Sequence, residues 1–467
     1  MKPVPHLPLL WVAFLLGIPA ITLLVYDEGA LRWIAAILLL GAALTAILDL
    51  IISRSDLEFV SCSAPPLIRG TTGRELEVPV TIANTGPTIA KLRYGIPASR
   101  FFRIDDDLEG VLTDLGKNKQ TTIRSRQVPL KRGGFRFEKI YLEVPSSFRF
   151  WVIRKAMPLD VELRIYPDLS IERKRLASLF LMRGHEGAHL VRQLGKGRDF
   201  EQLREYQPGD DYVDIDWKAT ARRQMPVTRT YQIEKTQEVY VVVDHSRLSG
   251  REIRQSLDRE ASADWLRERS SRGGEERITT QLEKFLHCAL ILSSVAEKQG
   301  DCYGFVSFSD KVNRFLRARS GKGHYNVIRD ALYTLESESV APDFEPLMID
   351  LRKKLTRRAL IVMLVDLSDP LTAEQFLEAL PLIQKQHLVL VNMVRPERAR
   401  ELFSRGHDPE TTGAIYESLA GHLQWQELRE TGNQLRHLGV ELGLPDHEEL
   451  CTETVTQYLN VKNRQLI

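Results

Sequence analysis

Cysteine is nearly absent from this 467-residue chain. Its four copies, Cys62, Cys288, Cys302 and Cys451, lie far apart and include no C-x-x-C pair. That argues against a disulfide framework and a zinc ribbon, and suits a reducing compartment. Excess charge of either sign is missing too. The 64 Lys and Arg nearly balance 62 Asp and Glu, for a net charge of +2. Composition therefore carries no signal for binding a polyanion. Common catalytic signatures are lacking: there is no G-x-S-x-G elbow and no dinucleotide fingerprint. "RARSGKGH" holds Gly321-Lys322 but has neither the earlier glycine nor the following Ser or Thr of a phosphate loop.

What the chain does have is long apolar runs at one end. Leu7 to Tyr26 carries no charge, and Trp33 to Ile52 carries one, Asp49. Each is about the length that crosses a bilayer, and "DEGALR" between them makes the pair a transmembrane hairpin. Trp11 and Trp33 stand near segment ends, where amphipathic rings favour the interface. No small-residue cleavage site precedes the second run, so a removed signal peptide is disfavoured. Lys2 comes before the hairpin and Arg54, Arg69 and Arg74 after it, whereas Asp27 and Glu28 outnumber Arg32 in the turn. The positive-inside rule then puts both ends in the cytoplasm, with the anchor through residues 7–52 in the inner (cytoplasmic) membrane.

The length calls for several domains. After the hairpin (1–54), residues 55–168 read as an all-β, sandwich-like module. "ELEVPVTIANTG" and "TTIRSRQVPLKRGGFRFEKIYLEV" alternate apolar and polar residues around turn signals. Residues 169–235 read as a polar connector. From 236 to 467, the buried-strand runs "EVYVVVD", "CYGFVSFSD", "RALIVMLVDLSD" and "HLVLVNMV" alternate with helical patterns near 277–299, 324–337, 372–386 and 411–437. That order implies a parallel α/β sheet, Rossmann-like, covered on both faces. The charged stretch 250–277 reads as a surface insertion. The expected fold is thus multidomain: two transmembrane helices, a β-sandwich-like module and an α/β domain.

Sites in such sheets form at the carboxyl ends of strands, where Asp244, Asp310 and Asp366 fall. Asp244 and Ser246 offer hard oxygen ligands of the kind Mg²⁺ takes. The stretch resembles the first metal loop of von Willebrand factor A domains, D-x-S-x-S, except that Leu248 holds the last position and Ser249 comes one place late. The resemblance places Asn326 where that family has a threonine, and Asp366, with Ser368 beyond, in the third loop. A different chemistry is suggested by His185-Glu186-Gly187-Ala188-His189, a match to H-E-x-x-H, which on a helix holds zinc for a membrane metalloprotease. Against it, Gly184 and Gly187 each cost a helix about 1 kcal/mol relative to alanine. No H-x-x-G-x-x-H extension follows, since Leu190, Val191, Arg192 and Gln193 come after His189. Glu201 or Glu205 could serve as a third ligand by spacing, but both belong to a different motif.

That motif is "GRDFEQLREYQPGDDYVDIDWKATAR", Gly197 to Arg222. Acids match bases along it, which argues against a nucleic-acid strip. Its Arg198, Asp199, Arg204, Glu205, Tyr206, Pro208, Gly209, Asp210, Asp211, Asp216, Trp217 and Lys218 read as a salt-bridged clasp between domains. The run resembles the signature of the bacterial "domain of unknown function 58" family, in which it leads into a von Willebrand factor A-like domain. The likeness extends to the hairpin, the β module and "RIYPD". Departures are "PSSFRFW" in place of a D-P-F-G-L-like turn, the long insertion and the incomplete metal loop. The resemblance implies a membrane-anchored protein-interaction scaffold without enzymatic activity. It also implies a MoxR-type AAA+ ATPase as partner, in the assembly, maturation or regulation of protein complexes. No catalytic residue is implied, and no cofactor beyond a candidate Mg²⁺.

Overall fold

The computed structural model describes residues 2–25, 29–53, 57–97, 99–104, 109–182, 194–208, 210–232, 237–255, 277–402 and 412–464. They fall into two compact units, 1–168 and 169–467.

In the first unit two helices, Leu7–Val25 and Gly29–Ser53, come between the first strand and the rest. Among the described residues one window, Ala36–Ser53, is long and apolar enough to cross a membrane, with a mean hydropathy of 2.4; the apolar stretch Leu7–Pro19 is shorter. The strands are β1 (Lys2–Pro5), β2 (Val60–Ser63), β3 (Leu67–Thr71), β4 (Leu76–Asn84), β5 (Ile89–Gly95), β6 (Phe102–Ile104), β7 (Glu109–Leu115), β8 (Lys119–Pro129), β9 (Gly133–Pro145) and β10 (Trp151–Tyr166). One sheet runs β1-β10-β9-β5-β7 with β3 also on β10; the other runs β2-β4-β8-β6. Alternation sets which face is buried. On β4, Leu76, Val78, Val80 and Ile82 point inward, where they meet Ile140, Leu142, Leu163 and Ile165 of the other sheet in one core. Buried Asn84 fastens the turn after β4. Its amide donates to the carbonyls of Pro87 (2.7 Å) and Leu115 (3.1 Å), and its oxygen accepts from Gly86 N–H (2.9 Å).

Each helix is fastened to this module, the first through the strand that precedes it and the second through its last turns. β1 pairs antiparallel with the start of β10, Lys2 opposite Arg154 and Pro5 opposite Trp151. On the second helix Ala46, Asp49 and Ser53 form one buried face at helical spacing. The Asp49 carboxylate accepts from Ser146 Oγ (2.5 Å) and Phe148 N–H (3.0 Å). Ser53 Oγ accepts from Ser147 N–H (3.1 Å), and the Trp151 indole donates to the Ala46 carbonyl (2.8 Å). The only charge in the second apolar run is therefore satisfied by the turn between β9 and β10.

The second unit holds β11 (Leu194–Glu205), β12 (Val227–Gln232), β13 (Glu238–Asp244), β14 (Glu252–Gln255), β15 (Arg277–Thr280), β16 (Cys302–Phe308), β17 (Val312–Arg319), β18 (Leu360–Leu364), β19 (Leu388–Asn392) and β20 (Glu441–Gly443). Its main sheet runs β17-β16-β13-β18-β19-β20. All neighbours are parallel except β17 on β16. Successive residues feed opposite cores. Val239, Val241 and Val243 pack with the helices Gln281–Lys298, Lys322–Leu332 and Leu450–Asn463. Tyr240 and Val242 pack with Phe344–Lys354, Pro370–Ala379 and Thr412–His437. Burial on both faces explains why these strands read as continuous apolar runs.

The stretch read as a connector begins as part of this core. Ser170–Met182 is a helix, with Leu176 buried among the residues of Gln281–Lys298. Its Glu172 meets His287 Nδ1 at 2.8 Å. Burial raises the Glu172 carboxyl, but the hydrogen bond and charge of His287 outweigh it and hold the group at about 2. A depressed carboxyl stabilises the fold above its unfolded value, near 4.5, and that contribution is lost as pH falls toward 2. Glu172→Gln is expected to flatten the acid limb of the unfolding profile across this window. An unchanged limb would show that the pair contributes nothing.

Candidate functional site

β13 and β18 are neighbours, Val243 opposite Leu364, so the loops leaving them adjoin. Asp244, His245, Ser246, Ser249 and Asp366 are all buried there. Each acid folds its loop over itself: Asp244 Oδ1 accepts from Ser246 N–H (2.8 Å) and Asp366 Oδ1 from Ser368 N–H (2.9 Å). Ser249 Oγ donates to the Ser246 carbonyl (2.8 Å). Asp244 Oδ2 and Ser246 Oγ are buried with no hydrogen-bond partner among the described residues. Burial, aided by the Asp366 charge, pushes the Asp244 carboxyl up to about 7 against the restraint of the Ser246 N–H, the Ser246 hydroxyl and the Asp366 N–H; the last two lie near the carboxyl without reaching hydrogen-bond geometry on those two oxygens.

Arg251 approaches the second acid. Its Nη1 lies 3.5 Å from Asp366 Oδ2 and donates to Ser368 Oγ at 2.6 Å. It is the last residue before β14, which pairs antiparallel with β15, so the two strands form a ribbon stem at the base of the predicted insertion. Residues 256–276 of that insertion lie outside the described ones. Asn326 is exposed on the helix Lys322–Leu332, and no hydrogen bond ties it to Asp244 among the described residues. Exposed Asp310 accepts from Ser309 Oγ (3.0 Å) in the next loop, where Ser309 also donates to Glu338 Oε2 (2.8 Å). Among the described residues no three His, Cys, Asp or Glu side chains gather as a metal site. Beside Ser368 a cleft of about 270 Å³ runs between two helices, lined by Ala373, Glu374, Glu427 and Thr431.

The first part of the signature lies on β11, which pairs antiparallel with β12 just beyond the signature's end. Arg198 and Asp199 lie on β11, with Glu205 exposed at its end opposite Val227. Arg204 pairs with Asp210 at 2.6 Å, and Asp210 also accepts from Gln207 N–H (3.0 Å) and Thr228 Oγ1 (3.4 Å). The Gln207 amide and then Arg204 hold the Asp210 carboxyl below its ordinary range. Asp216 caps the helix Trp217–Arg223 through Ala219 N–H (3.0 Å) and pairs with Arg229 (2.9 Å); these two contacts lower its carboxyl as well. Tyr206 packs against Tyr212, ring centroids 6.0 Å apart. Pro208, Asp211 and Lys218 are exposed, and Gly209 lies outside the described residues. With so much charge used internally, the ribbon presents apolar groups: Val213 is 87% exposed and Trp217 69%, beside Tyr212. The sequence marks these as aromatic and apolar but does not show that they face outward. His185 and His189 lie outside the described residues.

Residues 202–264 and 254–416 match the model of a family described as "Protein of unknown function DUF58". No curated protein matches the chain. Among solved structures, the chain is similar to the conserved hypothetical protein BatB from Bacteroides thetaiotaomicron. Identity is 12%, the likeness covers 49% of this chain and 99% of that one, and the TM-score is 0.26. An aerotolerance-related membrane protein from Bacteroides fragilis NCTC 9343 is 13% identical over 48% of this chain and 98% of its own, also with a TM-score of 0.26. At these scores neither likeness carries an argument about function.

Proposed function

We propose that the chain is a membrane-anchored interaction scaffold that binds and breaks no bonds. Its binding face is the carboxyl edge of the second unit's sheet. The observation that carries this reading is the pair of orphaned oxygens, Asp244 Oδ2 and Ser246 Oγ, buried beside Asp366. Leaving polar atoms buried and unpaired costs about 1–3 kcal/mol each, so an arrangement that keeps them implies a group that pairs with them. The chemistry suits Mg²⁺ shared with an acidic side chain of a protein partner, in the manner of a von Willebrand factor A-like domain. Arg251 would have to leave Asp366 for that ion to enter. The helices Leu7–Val25 and Gly29–Ser53 would span the inner membrane, with both units in the cytoplasm. The partner we infer is a MoxR-type AAA+ ATPase, as the resemblance of Gly197–Arg222 to the family signature implies, in assembling, maturing or regulating other complexes.

The test is capture of that ATPase by the membrane-extracted full chain, compared with the folded Asp244→Ala/Asp366→Ala double variant. Capture is expected to fall at least about tenfold, since one lost charge-assisted contact is worth roughly 1.5–3 kcal/mol. Equal capture by both would remove this face from the proposal. Added Mg²⁺ is expected to raise the melting temperature of the wild type and not of the double variant.

A further inference from the structure

The turn Ser146–Trp151 is hydrogen-bonded to both apolar helices at the same end of the hairpin. The Phe150 carbonyl accepts from His6 N–H (2.9 Å), the residue just before the first helix. Phe148 N–H, the Ser146 hydroxyl and the Trp151 indole bond Asp49 and Ala46 of the second. Ala46 and Asp49 lie inside the apolar window that closes at Ser53, and Ala46 is seven residues, about 10 Å, from that end. The turn therefore sits alongside the last two turns of the apolar helix and not beyond them. At that level the neighbouring helix residues Ile47, Leu48, Ile51 and Ile52 are exposed. Phe148 extends the same apolar surface, 64% exposed, with Phe150 beside it at a ring distance of 6.4 Å. Arg149, exposed between them, holds a positive φ of 59°, which closes the turn through its N–H to the Ser146 carbonyl at 2.9 Å.

We propose that this turn is a lipid-binding element, embedded in the bilayer–water interface with the Phe148 and Phe150 rings against acyl chains and Arg149 toward headgroup phosphates. The inference rests on the reading of the hairpin as membrane-spanning. The ligand is a phospholipid bilayer, because the turn continues an apolar helix surface at a depth fixed by its own hydrogen bonds. Aromatic rings beside a basic residue suit the interfacial layer, which adds roughly 5–7 Å to each side of the hydrocarbon core. Asp49, an acid within an apolar span, is then satisfied by the same turn that enters the interface.

Photo-crosslinking from the full chain in native membranes tests this. Benzoylphenylalanine is placed in turn at Phe148, at Leu40 on the exposed middle of the second helix, and at Tyr141, an exposed strand residue about 17 Å along β9 from Ser146. Lipid adducts at 148, at a yield comparable to those at 40 and absent at 141, are expected. Lipid adducts at 40 with none at 148 would overturn the interfacial turn while leaving the spanning hairpin intact. Adducts from 148 to protein, a second copy included, would overturn it in favour of a protein contact. No lipid adduct at 40 would overturn the spanning reading and the inference with it.

Discussion

Asp244→Asn is expected to stabilise the second unit, and to do so far more at pH 8 than at pH 4. In the folded chain burial drives the carboxyl from 3.8 up to about 7. A raised acid opposes folding once the unfolded chain can ionise it. The penalty therefore grows as pH rises from 3.8 to 7 and is constant above. That displacement sets an upper bound of about 4 kcal/mol at pH 8. Asparagine is uncharged at both pH values and escapes the penalty. Urea unfolding of wild type and variant at the two pH values reads the difference. A variant less stable at pH 8, or one whose advantage does not depend on pH, would mean that Asp244 is not held against its own charge. Stabilisation together with lost partner capture is the pattern of a residue kept for binding at the expense of the fold.

Asp301→Ala is expected to do the opposite, at the other end of the same sheet. Asp301 precedes β16 and is 1% exposed. It accepts from the Tyr458 hydroxyl, from Lys462 Nζ at 2.7 Å and from Gln237 N–H at 3.3 Å, so the starts of two central strands and the last helix share one carboxylate. Removing one partner of a buried ion pair costs roughly 3–5 kcal/mol. Lys462 keeps about a fifth of its side-chain exposure and donates to the Gln299 carbonyl, which places the expected loss near the lower bound, about 3 kcal/mol. A shift of the urea midpoint at constant slope, with ATPase capture unchanged, is the expected result. A loss under about 1 kcal/mol would remove Asp301 as a keystone. Both acids are buried at strand ends; what separates them is the count of satisfied oxygens.

Much of this arrangement can be read from the residues alone. The runs ending in Asp244 and Asp366 announce buried strands and put both acids on one edge, because unbroken apolar runs form where a sheet is covered on both faces. The helix Phe344–Lys354 was as readable, with Asp343 as its cap and Phe344, Leu347, Met348 and Leu351 at helical spacing, yet it was not among the expected elements. β17 was missed because it is an edge strand with arginines at 314, 317 and 319, and it lacks the apolar run of its neighbours. Arg251 could not be found as a partner of Asp366, since the two meet only through the loop geometry. The same holds for Asp49, whose acceptor role depends on Ser146 and Phe148, nearly a hundred residues along the chain.

β10 receives β1 along one stretch, and the turn that opens it receives the second helix. The apolar hairpin is thus joined to the β module by two separate sets of hydrogen bonds, one for each helix and both at the hairpin's open end. A single joint would act as a swivel; two joints to the same strand make a bracket. In the spanning orientation proposed above, a bilayer thicker or thinner than the hairpin would tilt its helices, and the sheet they are bracketed to would rotate with them. Membrane thickness would then become an orientation of the β module, and lipid composition a variable felt mechanically.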